Sequence, residues 1–200
     1  LLGVTWVILQ PVAMMLIFTA VFSRIARVTF SGPPYSLQVF AALLIWQLFS
    51  ISLSRAATSV VASSNLVTKV YFPRLIIPFS SALVPFIDFV ISAVFFLVLA
   101  ATLGYYPQPQ IIFLPIIVLP TLMFSTGLSL WLSALHVRYR DISYIIPLML
   151  QIWMYLTPVV YTMSMVPSEW GPILAWNPLV ALVECTRWAL LGTPLPSASS

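Results

Sequence analysis

Side chains able to do chemistry are scarce in this sequence. It holds eight Lys or Arg, four Asp or Glu, one His and one Cys in 200 residues. General acid–base work needs positioned titratable groups, usually at least two. His136 stands alone at the end of an apolar run, beside the charged turn Arg138-Tyr139-Arg140-Asp141. It reads as an interfacial, non-catalytic ring. No Ser-His-Asp order and no metal-ligand spacing is present. No Gly-x-x-x-x-Gly-Lys-[Ser/Thr] loop occurs either, so the chain has no such cradle for ATP. What remains is charge in unusual places. Asp88 falls thirteen residues into an apolar run, a depth of about 20 Å along a helix. A carboxylate there must face protein or water and needs a partner, for which Arg55 is the candidate. Glu184 precedes Arg187 by one helical turn, so the two can pair locally. The alternative for Arg187 is a phosphate group, and the local pair is the favoured reading.

The elements that carry these residues are set by composition. The chain is 62% hydrophobic and 6% charged, whereas soluble domains carry roughly 25% charged residues. Such a chain cannot cover a water-facing surface, and it reads as an all-α integral membrane protein. The net charge of +4 then speaks to topology and lipid contact, and nucleic acid is not an expected partner. A single cysteine, Cys185, excludes an intrachain disulfide. Five uncharged or nearly uncharged runs qualify as spans: 1–22, 37–54 extended to 64, 75–103, 111–135 and 143–163. Pro11, Pro78, Pro85, Pro147 and Pro158 break or bend them. Beyond 163 the pattern changes. Residues 164–177 carry Trp170, Trp176 and Asn177, and residues 178–191 are apolar but only 14 long, starting at Pro178 and containing Glu184 and Arg187. That run is too short to cross and too charged for a lipid face, so it reads as re-entrant or interfacial.

Between the second and third runs lies the stretch 64–74. Apolar pairs (Leu66 and Val67, Val70 and Tyr71) alternate with polar pairs (Ser64 and Asn65, Thr68 and Lys69). This gives one apolar and one polar face over about two helical turns. Ser63 or Ser64 can cap the start, and Pro73 ends it by displacing Phe72 from the α region. A short amphipathic helix of this kind lies along a membrane surface; the alternative is an ordinary loop anchored by Tyr71 and Phe72. Loops on the side of 62–74 and 136–142 carry four positive residues (Lys69, Arg74, Arg138, Arg140), against two (Arg24, Arg27) on the other side. The positive-inside rule places the first set in the cytoplasm.

Lys69-Val70-Tyr71-Phe72-Pro73-Arg74, followed by Pro78, resembles the cytoplasmic coupling segment of type-2 ABC exporter permeases. More narrowly it is similar to the branch that exports O-antigen, capsular and teichoic acid polysaccharides. The turn Arg138-Tyr139-Arg140-Asp141 and the pair Asn177-Pro178 with Arg187 nine residues on also match that family. The resemblance implies a bundle of at least five spans with a coupling helix (Asn65, Lys69 to Arg74) docked on a separate ATPase. It also implies re-entrant outer gate helices holding Trp170, Trp176, Asn177, Pro178 and Arg187. It further implies a homodimer, two ATPase subunits that bind the ATP, no cofactor on this chain and a lipid-linked glycan as cargo. The turn 138–141 is a second cytoplasmic contact, to partner acidic groups or to lipid heads, or simply a solvated turn. The family's amphipathic N-terminal helix and final span are expected to be missing, so residues 1–200 read as one permease domain of a longer chain.

Aromatic residues within spans, Trp46, Trp153 and Tyr155, with Trp131, offer flat faces that suit sugar rings. Each taken alone reads as packing; as a group they are a candidate lining. Asp88 reads as a buried helix contact, with a path-lining or proton site as the alternatives. Two other functions are alternatives: a type-2 permease for a drug or small lipid, which needs fewer lining aromatics, and an ion-driven carrier. The carrier would need ionisable residues in several spans and an internal repeat, neither of which is seen. A membrane enzyme lacks the side chains.

Overall fold

The computed structural model describes residues 2–25, 32–64, 73, 75–167 and 169–194, and every regular element among them is helical. Helix α1 runs Leu2–Phe18 and passes into a π-helical stretch, Thr19–Ile25. Pro11 lies inside α1 without ending it. Helix α2, Tyr35–Ala62, is followed by α3, Ile76–Leu83, and α4, Pro85–Thr102. The expected third span is thus two helices meeting at Val84. Pro85 has no N–H to donate and occupies the first position of α4, where none is needed. A short 3-10 turn, Pro109–Phe113, leads into α5, Leu114–Arg138. Then come α6, Ile142–Tyr155, the five-residue α7, Gly171–Ala175, and α8, Pro178–Leu191.

Four helical stretches have the length and apolarity to cross a bilayer: 5–22, 35–62, 76–102 and 109–138. The fifth expected span differs. Its helix is the 14-residue α6, about 21 Å long at 1.5 Å per residue, short of a ~30 Å hydrocarbon core. The chain beyond it, Leu156 to Tyr161, is non-helical, carries Pro158 and is stitched into the protein by side chains.

Helix α2 is the centre of the bundle. Its window is 78% buried, against 11% for the α1 window. It packs on α1, α3, α4, α5 and α8, most extensively on α5. Apolar burial does not drive helices together in lipid, so close backbone approach matters. Small residues supply it: Ser52, Ala56 and Ser59 on α2, and Thr121, Ser125, Ser129 and Ser133 at four-residue spacing on α5, are all buried. The α5 hydroxyls donate back to carbonyls three or four residues earlier, for example Thr121 to Ile117 at 2.9 Å and Ser129 to Thr126 at 2.9 Å. Their polar atoms are thereby satisfied inside the membrane. At the other end of α5, His136 is buried, and its Nδ1 lies 3.3 Å from the Ala57 carbonyl oxygen of α2. That contact brings the turn after α5 beside the end of α2.

Candidate functional site: a cytoplasmic turn, an aromatic cluster and an outer polar network

The coupling segment falls almost wholly outside the described residues: Asn65, Lys69, Val70, Tyr71, Phe72 and Arg74 are not among them, nor is Arg27. Pro73, which is, is exposed. Helix α2 ends with the Ser63 N–H bonded to the Ser59 carbonyl at 2.9 Å. The second contact candidate is in view. Arg138, Tyr139, Arg140 and Asp141 are all exposed, and the Arg138 guanidinium sits 5.4 Å from the Tyr139 ring centre. Asp141 precedes the first residue of α6, and its carbonyl accepts from Tyr144 and Ile145. The turn therefore presents two cations, a ring and a carboxylate on the side of the bundle where α2 ends, since His136 holds the two ends together.

The aromatic candidates are packed rather than lined up. Trp46 is 6% exposed and lies against Phe49, ring centres 5.9 Å apart. Phe49 stacks on Phe124 at 5.5 Å and meets Trp153 edge-on at 5.3 Å. Trp153 also meets Phe124 edge-on at 5.9 Å. Trp46 thus has no free face for a sugar ring within this chain, because the tight α2–α5–α6 packing consumes it. Trp153 is half-buried. Tyr155 and Trp131 are exposed.

The outer residues are more closely knit than sequence reading could show. Asn177 caps α8: its Oδ1 accepts from the Leu179 N–H at 3.1 Å, with Pro178 in the first helical position. The same oxygen accepts from Trp153 Nε1 at 3.2 Å. Its Nδ2 donates to the Leu156 carbonyl at 3.3 Å and to Thr157 Oγ1 at 3.0 Å. One amide thus ties α6, the chain after it and α8. Arg187, on α8, is 2% exposed and pairs with Glu184 at 2.7 Å. Its Nη1 also donates to the Tyr161 carbonyl at 3.1 Å, its Nη2 to Val159 at 3.0 Å and its Nε to Gln38 on α2 at 3.2 Å. Four of its five N–H donors are engaged, so Arg187 offers little to an incoming phosphate; its burial and carbonyl partners make it a structural tie. Burial lowers its pKa from the ordinary arginine value, while the Glu184 carboxylate works in the opposite direction. Tyr35 Oη completes the set by donating to the Val160 carbonyl at 2.7 Å. The non-helical stretch 157–161 is deeply buried over Thr157 to Val160, and the carbonyls of 159, 160 and 161 are all taken by side chains. Irregular backbone at membrane depth survives only when protein satisfies it in this way.

Sequence reasoning found Asn177, Arg187 and Glu184, and missed Tyr35, Gln38 and Thr157. Pro158 marked a break just beyond the end of α6, but nothing in a single sequence marks which side chains bond the non-helical carbonyls that follow it. Trp170 and Trp176 stand at the surface, 57% and 90% exposed, consistent with rings that sit at a bilayer interface. Asp88 joins neither cluster. With Arg55 it lines a separate cavity between α1, α2 and α4. Among the described residues neither forms a salt bridge, so the suggested Asp88–Arg55 pair is not made in this structure.

A bundle of apolar helices, four of them long enough to cross a bilayer, with an exposed basic turn at one end and a buried, side-chain-bonded non-helical stretch further along the chain, defines a polytopic membrane protein of the permease type. The chain belongs to the ABC-2 type transporter family, whose model matches residues 1–191, and it is a multi-pass protein of the inner membrane. It is 32% identical over 199 residues to the O-antigen export system permease protein RfbA of Myxococcus xanthus, covering 98% of this chain and 76% of that protein. It is 26% identical over 188 residues to the RfbA protein of the same description from Klebsiella pneumoniae, covering 94% and 72%. It is 22% identical over 192 residues to the polysialic acid transport protein KpsM of Escherichia coli, covering 95% and 74%.

Proposed function

We propose that this chain is the membrane-spanning permease subunit of an exporter that moves lipid-linked polysaccharide of the O-antigen, capsular or teichoic acid type across the cytoplasmic membrane. A separate ATPase powers it, and the permease works as a homodimer with two ATPase copies. The observation that carries the reading is likeness over nearly the whole chain to permeases named for O-antigen and polysialic acid export. Three features of the sequence and structure support it. The end of α2, which leads in sequence into 65–74, and the 138–141 turn lie on one side of the bundle, joined through His136 and Ala57. The turn is exposed and basic, as a docking surface for an ATPase needs. The outer end carries a buried, non-helical stretch, which is where a span could be opened or closed without breaking a helix.

In this reading the ATPase dimer closes on ATP and pushes the 65–74 segment. The push passes into α2 and α3, which flank it in sequence. Helix α2 carries it to α8 and the 157–161 stretch through Gln38 and Tyr35. The path opens between the two permease copies, with ATP bound by the partner and none by this chain. Trp153, held by Asn177, and the exposed Tyr155 are the aromatic faces left for the glycan. Deletion of the gene should stop surface display of the glycan while its lipid-linked precursor accumulates inside. Normal display in the deletion strain would overturn the reading. ATPase recovered with the wild-type permease, but lost with the pair Lys69→Glu and Arg74→Glu, is the expected result for docking.

A further inference from the structure

The bundle's other unspent charges lie in a cavity of about 510 Å³ walled by α1, α2 and α4. Gln10, Gln47, Arg55 and Asp88 give it polar groups, and Trp6 and Ile87 belong to its apolar wall. Ser92 closes one side by donating to the Val7 carbonyl of α1 at 3.4 Å. Asp88 and Arg55 face the same space without touching each other or any other charged group among the described residues. A charge held within a membrane span is costly and calls for a partner. Two opposite charges that share a cavity yet stay apart call for something between them. Arg55 lies eight residues before Ser63 at the cytoplasmic end of α2, about 12 Å up the helix; Asp88 lies about 20 Å past Leu75 on the returning chain. The cation is therefore nearer the cytoplasmic interface and the carboxylate deeper.

We propose that this cavity binds the headgroup of a phospholipid that carries a primary ammonium. The phosphate sits at Arg55, and the ammonium, two carbons and an ester oxygen further on, reaches Asp88. The Gln10 and Gln47 side-chain carbonyls can take the remaining N–H donors, and the acyl chains run along Trp6 and Ile87. The order of charges selects among lipids. A glycerol headgroup satisfies Arg55 and leaves Asp88 bare. A choline headgroup brings a cation whose methyl groups block hydrogen bonds to the carboxylate. The site lies away from the aromatic cluster and the outer network, and it stands whatever the cargo is.

The test is lipid retention by the full-length permease with its ATPase, exchanged into vesicles of equimolar phosphatidylethanolamine, phosphatidylglycerol and phosphatidylcholine and then read by native mass spectrometry. Wild type is expected to retain phosphatidylethanolamine about tenfold over the other two, as one charge-assisted hydrogen bond provides. Asp88→Asn should bring that ratio to about one, and Asp88→Glu should restore it. Arg55→Gln should lower retention of all three phospholipids together, and Arg55→Lys should recover it. Equal retention of the three lipids by wild type overturns the proposal, and so does an Asp88→Asn protein that keeps the preference. A permease that exports normally but shows no preference sinks this proposal and leaves the export reading standing; the reverse result does the opposite.

Discussion

The two arginines of the bundle interior live in opposite circumstances. Arg187 at the outer end has three hydrogen bonds to carbonyls, an ion pair and almost no exposure. Arg55 in the inner half is exposed into a cavity and makes no ion pair among the described residues, although a carboxylate lines the same space. A buried charge whose valences are filled holds structure in place; removing it leaves its partners stranded. A charge with open valences contributes little to the fold and is available to a ligand. The contrast separates the part of the membrane domain that must stay assembled from the part that can exchange partners, and it can be broken by substitution.

The largest effect is expected at Arg187. Arg187→Met keeps bulk but strands the Glu184 carboxylate and the carbonyls of Gln38, Val159 and Tyr161. A loss of about 3–5 kcal/mol is expected, as for one partner of a buried pair. In fluorescence-detected size exclusion after heating, the variant should aggregate or never reach the membrane folded. A variant as heat-stable as wild type would place Arg187 outside the structural class. Next in size is Asn177→Ala, which removes a helix cap and the links to Trp153, Leu156 and Thr157, for about 2–3 kcal/mol together. Asn177→Asp sharpens this: it keeps the oxygen that Leu179 and Trp153 use, and loses only the donor to Leu156 and Thr157. It should fall between wild type and Asn177→Ala in midpoint temperature. Trp153→Phe should cost less again, about 1 kcal/mol for its single hydrogen bond, because the ring contacts with Phe49 and Phe124 can persist.

The same contrast explains how much could be read in advance. Helical class, membrane placement and the limits of four spans were legible because apolar runs of 18 or more residues permit little else. The local pair Glu184–Arg187 was legible because helix geometry places such residues together. The length of α6 was not. Its sequence from 143 to 163 looks like a span, but the helix stops at Tyr155, and Tyr35 and Arg187, up to 125 residues distant along the chain, bond the carbonyls of Val159, Val160 and Tyr161 that lie beyond it. The α2–α5 seam was written in Thr121, Ser125, Ser129 and Ser133, a four-residue repeat of small side chains that apolar-run counting passes over. Trp46 and Trp153 show the same limit from another side. An aromatic residue inside a span can face a path or a neighbour, and only the placement of Phe49 and Phe124 decides.

The smallest stability effect should fall on the inner cavity. Asp88→Asn and Arg55→Gln each remove a charge that the described residues leave uncompensated, so neither strands a partner. Each should shift unfolding by no more than about 0.5 kcal/mol, the range of substitutions away from filled networks. A double-mutant cycle between them should give a coupling within about 0.5 kcal/mol of zero. The corresponding cycle between Arg187 and Glu184 should exceed 1 kcal/mol, since those atoms meet at 2.7 Å in a buried setting. A large coupling between Arg55 and Asp88, measured in detergent without added phospholipid, would mean that the two charges find each other directly. The cavity would then be a closed pair like the outer one, and the division between a fixed outer end and an exchangeable inner one would fail.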